Sequence, residues 1–198
     1  MTRIAVLGNG RVGGALAAAL TGAGHEVTVA DRTPGAAAEA AGGAQVVVNA
    51  TPGAGSLDLL TGLREQLRGK VLVDVANATS DGPDGLPADL LHPGSSLAEQ
   101  LQSALPGTRV VKTLNTMLHP VMTAPASLAQ PPTAFLSGQD PLAKQVVRGL
   151  LVDLGWHEEW IADLGGIETA RATEAAILFV PHVIRSSGFA PFAISIAR

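Results

Sequence analysis

The sequence predicts an α/β fold built on a doubly wound, mostly parallel sheet with a small C-terminal extension. Short apolar segments rich in Val, Leu and Ala alternate with helical segments through the first 115 residues. These apolar segments lack the polar alternation of half-exposed strands, as expected for parallel strands that helices cover on both faces. A glycine-rich turn follows the first of them. Together these three observations are typical of a Rossmann-type sheet.

The composition narrows the class of protein. Apolar residues make up 46% of the 198 residues and charged residues 15%, which is typical of a globular chain. The net charge is −4 without a basic block, which argues against nucleic acid and anionic membranes as partners. The absence of Cys excludes thiolate chemistry, and the absence of Tyr excludes the Tyr-Lys mechanism of short-chain dehydrogenases. No apolar run reaches the roughly 18 residues of a membrane helix, so we expect a cytoplasmic protein.

The first thirty-one residues are the most informative part of the chain. A strand is predicted over Arg3–Leu7, and a G-x-G-x-x-G turn follows it at Gly8–Gly13. An Ala-rich helix is predicted from Val12 to Leu20, and a second strand over Glu26–Ala30. Asp31 comes directly after that strand, 18 positions beyond the last glycine of the turn. A glycine turn between a strand and a helix, with an acid at this distance, predicts a dinucleotide site.

Each glycine of this turn has a physical role in that interpretation. Gly8 allows a tight turn, Gly10 lets a pyrophosphate approach the main chain, and Gly13, helped by Gly14, lets helix and sheet pack closely. The N–H groups and the positive dipole end of the helix would then face the diphosphate. The predicted dinucleotide-binding residues of this glycine loop are Gly8, Asn9, Gly10, Arg11, Val12 and Gly13.

The rest of the chain continues the alternation. Further strands are expected at 45–50, 70–76, 108–114, 133–137 and 156–161. Helices are expected at 35–41, 57–67 capped by Ser56, 97–104 capped by Ser96, 142–154 and 167–179. Pro181 is expected to kink or break the last of these, with resumed helical character to Ser186 as an open alternative. Residues 79–93 are predicted to be a long loop and 189–198 a docked apolar tail. We expect a dinucleotide-binding domain at 1–125 and a smaller part at 126–198 that completes the sheet and the substrate cleft. No linker between them is rich enough in Gly, Pro or Ser to make them independent domains.

The ligand is expected at the carboxyl ends of the strands, where the strand order reverses. The loops placed there are Gly8–Gly13, Asp31–Thr33, Thr51–Gly53, Asn77–Thr79 and Asn115–Met117. They contain no Ser/His/Asp arrangement and no paired carboxylates, which suits hydride transfer between two rings supplied by cofactors. We therefore predict no catalytic side chain and no metal site. His119 and Lys112, near the last loop, are interpreted first as structural residues, with a role in the site as the alternative.

The choice of coenzyme stays open at this point. An acid at Asp31 favours NAD(H), because it can accept a hydrogen bond from the ribose 2′-OH. The adjacent Arg32 favours NADP(H), because it can bind a 2′-phosphate. Arg32 could equally be a solvated surface charge, and Arg11 could face the phosphates.

Several segments, in order along nearly the whole chain, resemble the coenzyme F420-dependent NADP oxidoreductase family. They are Gly8–Gly13, Val48–Pro52, Gly69–Asn77, Ser96–Gln100 and Val110–Thr116. The resemblance implies a Rossmann domain with a small C-terminal part, usually in a homodimer. It also implies reversible hydride transfer between NADP(H) and the deazaflavin F420, with nicotinamide against deazaflavin near Thr51-Pro52 and Leu114-Asn115-Thr116.

The remaining predicted cofactor-binding residues are Asp31, Arg32, Thr33, Ala50, Thr51, Pro52, Asn77, Leu114, Asn115, Thr116 and Met117. Two places depart from the archaeal members of the family. Those members have Ser-Arg where this chain has Asp31-Arg32, and His-Thr-Ile where it has Asn115-Thr116-Met117. Related domains with Asn at the second place use flavins. The alternatives are therefore a reductase of flavin or another small acceptor, and a non-catalytic dinucleotide sensor.

Overall fold

The computed structural model describes residues 1–196. Its strands are β1 (Arg3–Leu7), β2 (Glu26–Ala30), β3 (Val46–Asn49), β4 (Val71–Asp74), β5 (Thr79–Asp81), β6 (Pro87–Leu90), β7 (Arg109–Lys112), β8 (Ala134–Ser137) and β9 (Ile161–Gly165). Its helices are α1 (Arg11–Gly22), α2 (Ala36–Gly43), α3 (Gly53–Gly62), α4 (Arg64–Leu67), α5 (Leu97–Ala104), α6 (His119–Met122), α7 (Pro141–Asp153), α8 (Ala170–Ala175) and α9 (Phe179–Ser187). None of these helices is long and apolar enough to cross a bilayer.

Seven strands form one sheet in the order β2-β1-β3-β4-β7-β8-β9. The first five are parallel, and β8 is antiparallel to β7 and parallel to β9. The prediction of a doubly wound, mostly parallel sheet is confirmed. The chain moves from β1 to β2 on one side and returns to β3 on the other side of β1. The reversal of strand order therefore lies between β1 and β3, next to the glycine loop.

Helices cover both faces of the sheet, because strand side chains alternate between two apolar layers. In β1, Ile4 and Val6 face the layer formed with α1, α6 and α7. Ala5 and Leu7 face the other layer, which contains residues of α2, α3, α4, α5 and α8. Both layers hold the sheet between helices, so its carboxyl edge supports the loops that follow the strands.

Two predictions about the middle of the chain were wrong. Ser56 does not cap a helix; α3 begins at Gly53, and the buried Ser56 hydroxyl bonds to the Pro52 carbonyl oxygen. Residues 79–93 are not only a loop, because β5 and β6 form a hairpin within them. This hairpin contacts α9, and Arg185 donates a hydrogen bond to Asp84 across 2.6 Å. Arg185 lies 101 residues beyond Asp84, so local sequence patterns do not report this contact.

The C-terminal third also differs from the prediction in two places. The last strand is Ile161–Gly165, because Trp156 enters the core instead and donates from Nε1 to the Met122 carbonyl oxygen. The predicted helix over 167–179 is divided into α8 and α9, and helical structure continues to Ser187, which confirms the alternative of helical character to Ser186. Pro181 lies in the first turn of α9, where its missing N–H is tolerated. By contrast, the caps Ser96 and Asp140 are confirmed, and each side chain accepts a backbone N–H.

The apolar tail is docked as predicted from Phe192 to Ile196, whereas residues 189–191 are exposed. Phe192 and Ile194 exchange backbone hydrogen bonds with the segment 116–118, and the Ile194 carbonyl also accepts from Thr133. Ala197 and Arg198, which were included in that prediction, lie outside the described residues. The tail therefore covers the loop that follows β7.

Candidate functional site

The glycine loop has the close backbone approaches that its sequence predicts. Gly8 has φ +105°, and a Cβ there would lie 2.6 Å from the Ala50 carbonyl oxygen. A Cβ on Gly13 would lie 1.9 Å from the Gly8 carbonyl oxygen, so a side chain at either position would collide with the main chain. Gly14 is different, because its Cβ would meet only Asn9 Oδ1 at 3.9 Å. The expectation that Gly14 assists the close packing was wrong.

The start of α1 is open toward the edge of the sheet. Gly10 is the N-cap, without a side-chain cap hydrogen bond, and a Cβ on it would have no neighbour within 4 Å. The first-turn N–H groups of a helix have no partner within the helix. An uncapped N-terminus beside open space fits a phosphate group. Asn9, Gly10 and Arg11 are exposed here, Gly8 and Val12 are half-buried, and Gly13 is buried.

The loop after β2 is exposed at Asp31, Arg32 and Thr33. Asp31 Oδ1 accepts the Thr33 N–H at 2.8 Å, which closes a local turn. Hydrogen bonding from Thr33 holds the pKa of the Asp31 carboxyl below its ordinary value. The carboxylate is therefore ionised at neutral pH, next to the guanidinium-bearing Arg32.

The loop after β3 is held by hydrogen bonds to the side chain of Asn49, the last residue of that strand. The Asn49 Oδ1 atom accepts hydrogen bonds from the Thr51 hydroxyl at 2.6 Å and the Thr51 N–H at 3.3 Å. Gly53 starts α3 and approaches the next loop so closely that a Cβ would lie 2.1 Å from the Asn77 carbonyl oxygen. The sequence reasoning missed this role of Gly53. Ala50 and Thr51 are half-buried and Pro52 is exposed at the edge.

The loops after β4 and β7 are joined by a pair of amides. Asn77 Nδ2 donates to the Asn115 carbonyl oxygen at 2.9 Å, and Asn115 Nδ2 donates to Asn77 Oδ1 at 3.0 Å. Leu114 is the only non-glycine residue with positive φ among residues 1–196, at +60°. Such a conformation is strained for a branched side chain and is often found at functional sites. It turns the main chain so that Asn115 can reach Asn77.

The last predicted loop is more enclosed than the others. Leu114, Asn115, Thr116 and Met117 are all buried, and Leu114 and Met117 belong to the apolar core. The Thr116 hydroxyl is buried without a hydrogen-bond partner among the described residues. The neighbouring Thr113 hydroxyl is buried without a partner as well, and unpaired buried hydroxyls are costly. The structure thus places these residues together in a buried loop, beside the amide pair of Asn77 and Asn115.

Three charged residues near this edge were not included in the predicted site. Lys112 Nζ lies 2.8 Å from Asp74 Oδ2 and 2.8 Å from Glu174 Oε1. Burial by itself would lower the pKa of Lys112, but the Asp74 and Glu174 carboxylates together raise it above its ordinary value. Its side chain is 1% exposed, so Lys112 cannot touch a ligand. The sequence did contain a signal for this cluster, because the apolar strands β3, β4 and β7 each end in a polar residue.

His119, the other residue considered for the site, is the half-buried first residue of α6.

The strand order, the glycine loop and the uncapped start of α1 define a Rossmann-type dinucleotide-binding domain. The model of the family described as coenzyme F420-dependent NADP oxidoreductases matches residues 3–42. A crystal structure from Arthrobacter sp. FB24, of a candidate F420-dependent NADP reductase, is 39% identical and covers 100% of both chains, with a TM-score of 0.91. The chain belongs to this family and is an NAD(P)-dependent oxidoreductase.

Other solved structures are more distant. A hypothetical protein of Sinorhizobium meliloti is 29% identical, with a TM-score of 0.67, over 85% of this chain and 88% of that one. The 3-hydroxyisobutyrate dehydrogenase of Mycobacterium tuberculosis is 21% identical, with a TM-score of 0.67, over 94% of this chain and 62% of that one. That similarity concerns the fold alone. No curated protein sequence matches the chain.

Proposed function

We propose that this enzyme transfers a hydride between NADPH or NADH and the deazaflavin coenzyme F420. The observation that carries the proposal is the arrangement of the sheet edge: an uncapped helix start at Gly10 next to loops that contain Thr51 and Thr116. Membership of the family, and the name of the 39%-identical Arthrobacter structure, favour F420 as the second ring. When bound, the nicotinamide supplies or receives the hydride and the deazaflavin is its partner.

In this proposal the chain's own residues bind and orient the two rings and move no proton. The glycine loop would bind the pyrophosphate through its N–H groups. Asp31 and Arg32 would bind the adenosine ribose or its 2′-phosphate. The loops at Thr51-Pro52 and at 114–117 would hold the rings, with the half-buried Thr51 and the exposed Pro52 at the open edge. Residues 126–198 would close the cleft, since the tail covers the loop after β7.

The proposal is tested by mixing the protein with NADPH or NADH and oxidised F420, FMN or FAD, and following oxidation of the nicotinamide. We expect turnover with F420. Turnover with a flavin but not with F420 would replace the proposal by the flavin reductase that Asn115 suggests. Binding of a coenzyme without turnover of any acceptor would support the sensor instead.

We also propose that the chain forms a homodimer through its C-terminal segment. Three of the four Phe residues lie in residues 179–192, and Phe179 and Phe189 are 64% and 70% exposed. Exposed aromatic side chains are typical of interfaces. Light scattering coupled to size exclusion should give twice the chain mass, and a Phe179→Ser, Phe189→Ser variant should give the monomer mass.

A further inference from the structure

A row of polar residues crosses the carboxyl edge of the sheet. Asn49, Asp74 and Lys112 are the last residues of β3, β4 and β7, and the strand register places Asn49 beside Asp74 and Asp74 beside Lys112. Register partners in parallel strands point to the same face of a sheet. All three are at most 1% exposed. We call these three residues the polar row.

The members of the polar row are bound to one another and to the C-terminal part of the chain. Asn49 Nδ2 donates to Asp74 Oδ1 at 2.8 Å, and Lys112 Nζ donates to Asp74 Oδ2 at 2.8 Å. Lys112 also donates to the Ala76 carbonyl oxygen and pairs with Glu174 of α8. The row is therefore a continuous link from β3 to the C-terminal helices.

Glu174 anchors the far end of this link. Its carboxylate accepts the backbone N–H groups of Leu97 at 2.8 Å and Ala98 at 3.2 Å, at the start of α5. A carboxylate at a helix N-terminus is stabilised by the helix dipole. Glu174 is the second carboxylate around Lys112, so the cluster carries one net negative charge, which the N–H groups at the start of α5 help to stabilise.

The near end of the link holds the loop after β3. Asn49 Oδ1 accepts from both the hydroxyl and the N–H of Thr51. Ser56 Oγ lies 2.8 Å from Thr51 Oγ1 and 3.1 Å from the Pro52 carbonyl oxygen. The N–H and hydroxyl groups of Thr51 therefore point toward Asn49 at the end of β3. These hydrogen bonds tie the position of the Thr51-Pro52 main chain to the polar row.

Stability alone is a poor reason for this arrangement. The desolvation of a buried ion pair offsets most of its attraction, and well-packed apolar residues often serve stability equally well. A fully hydrogen-bonded buried network does, however, fix the positions of the groups it binds. Here those groups include Thr51, at the reversal of strand order where the coenzyme is proposed to lie.

From this geometry we infer that Asn49, Asp74, Lys112 and Glu174 are positioning residues for the nicotinamide end of the coenzyme. The inference rests on the proposed function of the site. Among the described residues, no side-chain hydrogen bond joins the polar row to the loops after β1 and β2, which would bind the adenosine end. A change in the row should therefore weaken binding of the complete coenzyme and leave binding of its adenosine part unchanged.

The test compares the dissociation constants of NADPH and of 2′-phospho-ADP-ribose, which lacks the nicotinamide ring, for wild type and Glu174→Gln. We expect the variant to bind NADPH about fivefold more weakly, the change expected from one lost net hydrogen bond. Its affinity for 2′-phospho-ADP-ribose should equal that of wild type. NADH and ADP-ribose form the corresponding pair if wild type prefers them. The midpoint of thermal unfolding is recorded for each variant.

Glu99→Gln is the matched control. Glu99 also joins α5 to α8, through an ion pair with Arg171, but it makes no contact with the polar row. We expect it to leave the ratio of the two dissociation constants at its wild-type value. If Glu174→Gln does not fold, Ser56→Ala decides by the same ratio, because it removes the hydroxyl between Thr51 and Pro52.

An unchanged ratio in the folded variant, or an equal loss for both ligands, would overturn the inference. A wild type that binds neither coenzyme would instead contradict the proposed function. The two failures are distinguishable because the first is seen only in variants and the second already in the wild type.

Discussion

The two sides of the site are built in different ways. The glycine loop presents main chain: Gly8, Gly10 and Gly13 matter because they lack side chains, and Asn9 to Arg11 are exposed. The polar row presents side chains, all buried and all hydrogen-bonded. The first side can bind a phosphate with backbone N–H groups alone. The charges of the polar row are buried under the surface, so they would position the loop after β3 and would not contact a ligand themselves.

This difference shows where each side should be sensitive to mutation. In the glycine loop, added volume should be harmful and charge changes should be mild. In the polar row, removal of a charge should be harmful, because its partners stay buried without compensation. Variants on both sides can separate these two expectations.

The largest effect is expected for Lys112→Met. It leaves the carboxylates of Asp74 and Glu174 buried without their cation. Breaking a buried ion pair in this way costs about 3–5 kcal/mol of unfolding free energy. Urea unfolding measures it. As a control, Lys144→Met breaks a partly exposed pair with Asp163, which should cost about 1 kcal/mol or less. Similar losses of unfolding free energy in the two variants would contradict the expected difference between the buried and the partly exposed ion pairs.

Gly13→Ala should have the next largest effect. The new Cβ would lie 1.9 Å from the Gly8 carbonyl oxygen, so the main chain must move. We expect a loss of about 1–3 kcal/mol in unfolding free energy, as for other overpacked sites, and loss of coenzyme binding in a titration.

Gly14→Ala is the neighbouring control for that variant. Its Cβ would meet only Asn9 Oδ1 at 3.9 Å. Ala is preferred to Gly within a helix, so we expect a gain of about 0.5–1 kcal/mol with coenzyme binding retained. Loss of binding in Gly14→Ala would show that the second glycine of the pair has a role that its surroundings do not explain.

The polar row should also respond to alkaline pH. The pKa of Lys112 is raised above its ordinary value of 10.5 in the folded protein, despite burial, by Asp74 and Glu174. A raised folded-state pKa contributes stability that is complete below pH 10.5 and is lost as the pH rises through the raised value. The difference in unfolding free energy between wild type and Lys112→Met, measured by urea titration, should therefore become smaller above pH 10.5. A gap that stays constant into the strongly alkaline range would contradict the assignment.

The smallest effect is expected for Asp31→Ser on the exposed side. Removing a negative charge next to Arg32 should favour a 2′-phosphate, so the ratio of NADPH to NADH affinity should rise, by about twofold for an exposed charge. Titration of both coenzymes measures it at low salt, and added salt should reduce the effect. Stability should not change. An unchanged ratio would mean that Asp31 does not face the ribose.

The parts that were predictable share one property. Gly13 packs against Gly8, five residues before it, and Gly8 is required by its own positive φ, so their spacing was informative. The Ser96 cap is equally local, since its hydroxyl accepts from the N–H of Glu99. The β5–β6 hairpin was missed because its support comes from α9, nearly a hundred residues further on. The buried state of the loop at 114–117 was missed for the same reason, since the tail covers it.

The sequence by itself determined the fold class, the place of the glycine loop and the family. It could do so because strand hydrophobicity and glycine spacing report on the local main chain. Only the tertiary structure decided what Lys112 does. Asn49 and Asp74 are 25 residues apart and Asp74 and Lys112 are 38 apart, and the register of three strands brings them together. The role of a charged residue at the end of an apolar strand cannot be inferred until the residues that pair with it in the fold are known.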